Sequence, residues 1–373
     1  MKLLIKNGKV YNEEASFIQG DILIEDKKIV KVEEDIVEDT DKVIDAQGHY
    51  VVPALIDTHT HGAIGFDFNT CQKEDIDKIA EYYRQEGVST FMASLVCESH
   101  EDTKKLLQVY EQSNCSSLAG IHLEGPYLNL NKKAVMKEEC IRKPDLNEFK
   151  EYLTLSSKIR SMTIAPELDT ALKLISYANE KEIVMNIGHS DGDAQVVLQA
   201  EKAGAKGITH LYNAMTQHEH RSPGIVTGAF LSNLYCELIV DGFHVHEDVV
   251  KATYQTIGKD RIILISDANP CKGLKDGEYP FSGKQVIIKD QKATLKDTGR
   301  IAGSTLTMQK ACQNMMEYCK VGIHECIQMA STNPSKLYGL NKGSIKEGYD
   351  ADILIIDDTF EILHMISDNK IWY

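Results

Sequence analysis

The chain has 373 residues, which is more than one hydrophobic core usually holds but fits one barrel with a small appended domain. Its formal net charge of -15 argues against nucleic acid or an anionic membrane as the main partner, because both bind cationic patches. The 9 cysteines include no C-x-x-C pair, no window approaches 18 apolar residues, and the first residues show no signal peptide. We therefore expect a cytoplasmic protein without a membrane span.

Both ends of the chain are predicted to be rich in β-strands. In residues 1–53, short apolar segments flank an Asn-Gly turn and then alternate around a second polar turn. Residues 341–373 show the same pattern, whereas the sequence between the two ends does not. We expect 1–53 and 341–373 to pair into one small sheet domain.

The middle of the chain, residues 54–340, alternates short apolar runs with helical stretches. The runs lie in VVPALIDTH, VSTFMASLV, LAGIHLEG, SMTIAPE, EIVMNIGHS, GITHLYNA, YCELIVDGFH and IILISDA. Eight buried strands that alternate with helices predict a (β/α)8 barrel. The alternative, a doubly wound open sheet, is disfavoured because no G-x-G-x-x-G follows the early strands. After the eighth run, KQVIIKDQKATLKD predicts a hairpin inserted in a loop.

Side chains that can bind metal stand where the predicted barrel strands end. In such barrels, functional side chains cluster at the carboxyl ends of the strands. The ligand types found there are His59, His61, Glu124, His189, His210 and Asp267. Taken singly, each histidine could be a hydrogen-bonded core residue, and each carboxylate could cap a helix or pair with a cation. Together on one rim they predict a metal site.

The spacing of the first two histidines, in LIDTHTHGAIG, supports this interpretation. On a strand, residues i and i+2 point to the same face, so His59 and His61 would converge on one point. A divalent ion such as zinc suits histidine and carboxylate ligands. Two metals that share Glu124, and one metal with supporting residues, both stay open. A bound metal lowers the pKa of water toward about 7, and Asp267 would accept its proton, which predicts metal-assisted hydrolysis.

At these residues the sequence resembles the amidohydrolase superfamily and, within it, the N-acetylglucosamine-6-phosphate deacetylases. The resemblance extends through nearly the whole chain. Its most specific motifs are HLEGPY, THLYNAM, RSPG and DGFHVH, in this order. It implies a (β/α)8 barrel beside a small β-sandwich built from both termini, in agreement with the strand count.

The resemblance also implies roles for individual residues, with Asp267 as general acid/base. The implied metal ligands are Glu124, His189 and His210 for the main ion, and His59 and His61 for a second ion that some family members lack. The implied contacts to the sugar phosphate are Asn213 and Ala214, partly through backbone amides, together with Arg221 and His244. In the family this arginine can reach across a dimer interface, so a homodimer is implied.

One departure from the family pattern concerns the loop after LNLNKK. The family usually continues with Gly-Ala-His, whereas this chain has Ala134, Val135 and Met136. A methionine cannot donate a hydrogen bond or carry charge. A second metal could polarise the carbonyl instead, Lys132 or Lys133 could take part in a remodelled loop, or the acyl-amino sugar could differ.

The predicted activity is hydrolysis of the acetamide of N-acetylglucosamine 6-phosphate to glucosamine 6-phosphate and acetate, in amino-sugar catabolism or cell-wall recycling. Zinc is the expected metal, with one or two ions per subunit, and iron or another divalent ion is the alternative. Three other interpretations are open. The substrate could be another N-acyl amino sugar such as N-acetylgalactosamine 6-phosphate, the reaction could cleave another amide, or the chain could be an inactive binding homologue.

Overall fold

The computed structural model describes residues 2–373, and it builds one sheet from the two ends of the chain and a barrel from the middle. The N-terminal strands are β1 (Lys2–Tyr11), β2 (Phe17–Glu25), β3 (Lys28–Glu33), β4 (Lys42–Asp45) and β5 (Tyr50–Pro53). In β2, the residues from Gly20 to Ile24 are buried and the flanking residues are not. Because successive residues of a strand point to opposite faces, both faces of the sheet are covered at this part of β2, by the core with Ile22 and Ile24 on one face and by Leu4, Leu23 and Ile36 on the other.

The barrel strands follow β5 directly. Strands in this part of the chain are β6 (Leu55–Thr60), β7 (Gly62–Ala63), β8 (Phe66–Asp67), β9 (Val88–Val96), β10 (Leu118–Glu124), β11 (Ile159–Ile164), β12 (Val184–Ile187), β13 (Gly207–Ile208), β14 (Tyr235–Leu238) and β15 (Ile262–Leu264). Apart from the small hairpin β7–β8, they pair in parallel in the order β15-β14-β13-β12-β11-β10-β9-β6. A parallel bridge between Thr60 and Ala268 links β6 to the segment that follows β15. The predicted eight-stranded barrel is confirmed.

Helices cover the outside of the barrel. They are α1 (Lys73–Gln85), α2 (His100–Glu111), α3 (Leu146–Leu155), α4 (Ala171–Glu180), α5 (Ala194–Ala203), α6 (Ile225–Leu231), α7 (Glu247–Ile257), α8 (Met308–Cys319), α9 (Ile323–Ile327) and α10 (Asn333–Tyr338). Their ends follow ordinary capping chemistry. Helix α5 begins after Asp193, whose carboxylate accepts two backbone N–H bonds, and it ends at Gly204 with φ of 108°. None of the helices among residues 2–373 has the length and apolarity needed to cross a membrane.

The insertion after the eighth barrel strand is a three-stranded antiparallel sheet. It consists of β16 (Gly277–Phe281), β17 (Lys284–Lys289) and β18 (Lys292–Leu295). Strands β17 and β18 are the predicted hairpin, and β16 adds a third strand. A small apolar core that includes Phe281, Val286 and Ile288 holds this insertion against the barrel loop at Cys271 and Ala302.

The C-terminal strands complete the sheet that the N-terminal strands begin. They are β19 (Ile353–Ile356), β20 (Ile362–Ser367) and β21 (Lys370–Ile371). Strand β19 pairs antiparallel with β5, which also lies parallel to β1. Buried residues from both ends, including Leu3, Ile22, Val51, Ile353 and Ile366, form one apolar core separate from that of the barrel. The two ends of the chain thus share one sheet and one core, as predicted.

Candidate active site

The seam that closes the barrel brings the first and eighth strands to one place. The N–H of His61 donates to the carbonyl oxygen of Ala268 at 2.7 Å, and the N–H of Asp267 donates to that of His59 at 2.9 Å. The rings of His59 and His61 lie on the same side, with centroids 5.2 Å apart. These backbone bonds therefore place the Asp267 carboxylate beside the two histidines, and its Oδ1 lies 3.1 Å from His61 Nε2.

Three further side chains meet at the ends of β10, β12 and β13. Glu124 Oε1 lies 3.0 Å from His189 Nε2 and 3.0 Å from His210 Nε2. The two Nε2 atoms are 3.2 Å apart. Two imidazole nitrogens and a carboxylate oxygen directed at one point are an arrangement typical of a metal site.

A second group of possible ligands shares Glu124 with the first. His59 Nε2 lies 3.6 Å from Glu124 Oε1, and His61 Nε2 lies 3.5 Å from Glu124 Oε2. The ligand atoms of each group lie within 4.8 Å of one another, and all the residues concerned are buried. The side chains therefore offer two neighbouring positions for cations with one carboxylate between them.

Hydrogen bonds outside the cluster orient the imidazoles. His189 Nδ1 lies 2.8 Å from the carbonyl oxygen of Lys132, and His61 Nδ1 lies 3.1 Å from that of Ser94. A carbonyl oxygen can only accept, so each Nδ1 carries a hydrogen and each Nε2 is the ring nitrogen directed at the cluster, where a metal ion would take the place of a second proton. Such contacts fix the tautomer that a metal ligand needs.

The electrostatics of the cluster favour a bound cation. Among the described residues, neither Glu124 nor Asp267 forms an ion pair with a lysine or arginine. Burial would lower the pKa of His59, but the surrounding carboxylates, Glu237 first among them, raise it to about 10. The Nε2 atom of His59 is also buried and has no hydrogen-bond partner within residues 2–373. A cluster that attracts positive charge and holds an unpaired imidazole nitrogen fits a divalent metal ion.

Asp267 is suited to proton transfer. Burial alone would raise the pKa of its carboxyl, but the hydrogen bond from His61 and the nearby His59 and His210 lower it below its usual value. The side chain is therefore ionised at neutral pH and can accept a proton. It is also the most exposed member of the cluster, at 9%.

A cavity of about 160 Å³ opens onto the cluster. One part of its wall is polar and includes Asn213, His244 and the cluster itself. The apolar part of the wall is formed by Val135, Met136, Phe281 and Ile301. The cavity can therefore receive a small molecule with one polar and one apolar part.

Three of the four residues expected to contact a sugar phosphate line this cavity. They are Asn213, Ala214 and His244. His244 Nδ1 lies 2.7 Å from the Asp241 carboxylate, which leaves Nε2 available to a ligand. Asn213 holds its own loop through bonds from Nδ2 to the carbonyl oxygens of His210 and Leu211, both at 3.3 Å.

Arg221 is the fourth of these residues, and the structure does not bring it to the cavity. It lies exposed in the loop before α6, and its backbone N–H donates to Glu219 Oε2 at 2.9 Å. Its neighbour His220 is also exposed. In one copy of the chain, the Arg221 guanidinium is therefore free to meet another molecule.

The loop that departs from the family pattern packs into apolar surroundings. Met136 is 3% exposed and contacts a small cluster with Val96, Leu128 and Cys140. The ammonium groups of the two preceding lysines point elsewhere: that of Lys132 lies 3.3 Å from Asp191, and that of Lys133 lies 2.6 Å from Glu138. The side chain at position 136 thus adds apolar surface to the cavity, and the two lysines pair with acids.

Two residues near the site were not predicted from the sequence. Glu237 on β14 lies 3.0 Å from His59 Nδ1, and a lone charge inside the apolar run YCELIV could have drawn attention to it. Phe281 on β16 lies 6.0 Å from the His61 ring, centroid to centroid. No pattern in the sequence indicates that the insertion reaches the cavity.

Comparison with known proteins agrees with this geometry. Residues 50–371 match the model of the amidohydrolase family. The N-acetylglucosamine-6-phosphate deacetylase of Bacillus subtilis (strain 168) is 33% identical over 99% of this chain and 96% of its own. The N-acetylgalactosamine-6-phosphate deacetylase of Escherichia coli O157:H7 is 32% identical over 86% and 87%. The structure of the N-acetylglucosamine-6-phosphate deacetylase of Thermotoga maritima superposes with a TM-score of 0.90, at 31% identity over 99% of both chains.

Proposed function

The chain belongs to the amidohydrolase family, and we propose that it hydrolyses the acetamide of N-acetyl-D-glucosamine 6-phosphate to D-glucosamine 6-phosphate and acetate. The observation that carries the proposal is the convergence of Glu124, His189 and His210 beside the ionised carboxylate of Asp267. The names of the relatives that match over nearly the full chain support the choice of substrate.

The metal that we propose is zinc, since buried histidines with one carboxylate are its usual ligands in hydrolases. Glu124, His189 and His210 would hold one ion, and the pair His59 and His61 would hold a second that shares Glu124. A bound zinc ion supplies a Lewis acid for the amide carbonyl and lowers the pKa of water toward about 7. Iron or another divalent ion would serve the same ligands.

Proton transfer falls to Asp267. Its carboxylate accepts a proton from the attacking water and gives it to the amine nitrogen as the carbon–nitrogen bond breaks. The depressed pKa keeps the carboxylate ionised before the first transfer and makes the protonated carboxyl a good donor for the second, and the cavity leaves the Asp267 side chain open to the substrate. The backbone bond from the Asp267 N–H to the carbonyl oxygen of His59, at 2.9 Å, holds this residue in place at the seam of the barrel.

The polar wall of the cavity would hold the sugar phosphate. We assign these contacts to Asn213, Ala214 and His244, and we assign Arg221 of a second copy to the phosphate in a homodimer. A guanidinium binds phosphate with two parallel hydrogen bonds, and the exposure of Arg221 leaves it free for this role. No nucleic acid or membrane partner is required.

The arrangement of the chain supports two functional units. Residues 1–53 with 341–373 would form the supporting β-sandwich, and 54–340 the catalytic barrel. We place the protein in the cytoplasm, because all 9 cysteines are unpaired and most are buried, as is usual in a reducing compartment.

A second candidate substrate is N-acetylgalactosamine 6-phosphate, which differs in the configuration of one hydroxyl. The similarity to the E. coli deacetylase of that sugar supports it as the second candidate. Both sugars carry the same acetamide and phosphate, so the metal cluster and the phosphate contacts do not distinguish them.

The test is acetate release by the zinc-loaded protein from three compounds: N-acetylglucosamine 6-phosphate, its galactosamine isomer and unphosphorylated N-acetylglucosamine. We expect the first to be hydrolysed most efficiently and the third poorly. Preference for the isomer would move the proposal to the second candidate. No acetate from any of the three would contradict both.

A further inference from the structure

Glu237 is a buried carboxylate beneath the metal cluster with two hydrogen-bond donors from other elements. It lies on β14 and is 3% exposed. Its Oε2 lies 3.0 Å from His59 Nδ1 and accepts the backbone N–H of His210 at 3.3 Å. One oxygen of Glu237 thus contacts one residue from each of the two groups of possible ligands.

The contact with Glu237 determines which nitrogen of His59 faces the cluster. An ionised carboxylate can only accept hydrogen bonds, so Nδ1 of His59 carries a hydrogen. Nε2 is then the nitrogen directed toward the Glu124 and Asp267 carboxylates, 3.6 and 3.7 Å away, and a bound cation would take the place of a proton on it. This Nε2 is a buried nitrogen with no hydrogen-bond partner among the described residues. A cation between this nitrogen and the two carboxylates would bind all three, which explains why the nitrogen is buried without a partner.

His59 differs from the neighbouring histidines because its Nδ1 contacts a carboxylate. His61 and His189 are oriented by neutral backbone carbonyl oxygens, at 3.1 and 2.8 Å. A negatively charged partner makes an imidazole a stronger ligand than a neutral one does. It also adds a third buried carboxylate to a region where, among the described residues, no lysine or arginine pairs with any of the three. One divalent ion would leave this region with a net negative charge, whereas a second ion removes that excess.

We propose that Glu237 is a positioning residue: its carboxylate fixes His59 in the tautomer and orientation that a second divalent ion needs. Glu237 does not touch the substrate cavity and takes no part in proton transfer. The number of ions that the protein holds then depends on a side chain outside the ligand set. This inference rests on the metal-dependent part of the proposed function and not on the identity of the sugar.

The experiment is a zinc titration of metal-free protein without substrate, in competition with a chelator of known affinity. It compares the unmodified chain with Glu237→Gln and with a matched control, Glu148→Gln, which removes a part-buried carboxylate paired with Arg142 outside the site. We expect two ions per chain in the unmodified protein and in the control. In Glu237→Gln we expect one ion to bind about 10- to 100-fold more weakly while the other is unchanged.

Three results would overturn the proposal: a single ion in the unmodified protein, unchanged binding of both ions in Glu237→Gln, or equal weakening of both. If Glu237→Gln does not fold, as judged by circular dichroism, Glu237→Asp decides the question. Its carboxylate is one methylene shorter and should also weaken one ion selectively. Because no substrate is present, a failure here is separate from a failure to release acetate.

Discussion

His189, His210 and Asp267 share a left-handed backbone conformation, with φ of 48°, 28° and 46°. Such values cost residues other than glycine on the order of 1 kcal/mol each and persist where the surroundings enforce them. Each of the three lies just past the end of its strand, where the turn directs the side chain toward the barrel axis. Three of the residues to which we assign metal binding and proton transfer therefore carry a cost in backbone conformation.

The role of Asp267 can be tested with a substitution that keeps its shape. We predict that Asp267→Asn lowers kcat for acetate release by about 10²- to 10⁴-fold, because the amide cannot accept the proton. KM should change little, since the sugar phosphate contacts are elsewhere. Steady-state kinetics with metal content measured on the same samples checks this. A kcat within tenfold of the unmodified enzyme, with metal retained, would assign the proton transfer to another group.

Met136 is one of the apolar side chains that line the cavity, and we infer that it contacts the methyl group of the acetamide, the apolar part of the substrate. We predict that Met136→Ala admits longer acyl groups. One methylene in an apolar pocket is worth about 1–3 kcal/mol, so kcat/KM for the N-propionyl substrate relative to the N-acetyl substrate should rise roughly tenfold or more. Met136→Leu, of similar volume, should leave the ratio near its original value. An unchanged ratio in Met136→Ala would place the acyl group elsewhere.

At the scale of elements, the loop after β15 is held to helix α1 by a buried ion pair. Lys272 Nζ lies 2.7 Å from Glu86 Oε1 at the end of α1 and 4.6 Å from the centre of the Tyr83 ring. The carbonyl oxygen of Lys272 accepts the N–H of Ile64 at 2.7 Å. This contact joins the loop that carries Asp267 to the segment that follows His61.

We predict that Lys272→Met destabilises the protein, and more at pH 8 than at pH 6. Removal of one partner of a buried pair costs about 3–5 kcal/mol. Burial raises the pKa of Glu86 from an ordinary 4.5 to about 7 despite Lys272. Between those values the folded state binds more protons than the unfolded chain, so stability falls as pH rises. Without Lys272, which lowers the pKa of Glu86, the pH range over which stability falls extends above pH 7.

Urea unfolding of both proteins at pH 6 and pH 8 measures the effect of Lys272→Met. The difference in free energy of unfolding between variant and unmodified protein should be larger at pH 8. Equal differences at the two pH values would mean that the protonation of Glu86 does not change between pH 6 and pH 8 in a way that depends on Lys272, which would contradict the prediction.

The helices and strands also show which parts of the structure can be predicted from the sequence. All eight barrel strands were predicted, because strands buried on both faces appear as apolar runs bounded by turns. Helix α6, with Gly228 in its middle, has no clear helical pattern, and its place follows from packing against α5. The reach of Phe281 into the cavity and the contact of Glu237 with His59 depend on tertiary distances that no local pattern encodes.

At the scale of the whole molecule, the position of Arg221 bears on whether the protein assembles into dimers. One chain holds the metal cluster and the polar wall, but its own Arg221 is not at the cavity. If a second copy supplies this residue, then each site needs residues from two chains. In a twofold symmetric dimer, the commonest homo-oligomer, such an exchange is reciprocal, so both sites would be completed in the same way.

We predict that two impaired variants restore activity when mixed. Arg221→Ala should raise KM for the phosphorylated sugar, and Asp267→Asn should be nearly inactive. After the two are unfolded together and refolded, mixed dimers have one site with both residues intact, so about a quarter of all sites should be fully active by random pairing. Acetate release after mixing measures this, with each variant refolded alone as the control. Activity no higher than the average of the two would place Arg221 in its own chain's site or outside the reaction.

The pairing of β5 with β19 has a consequence for the synthesis of the chain. The two strands are adjacent in the sheet, yet residue 353 leaves the ribosome only after the entire barrel has been made. At 5–20 residues per second, roughly 300 residues take about 15–60 s. Throughout this time one edge of β5 has unpaired N–H and C=O groups that another chain could bind. The nascent protein therefore needs its last strands, or a chaperone in their place, to protect a strand translated near the beginning.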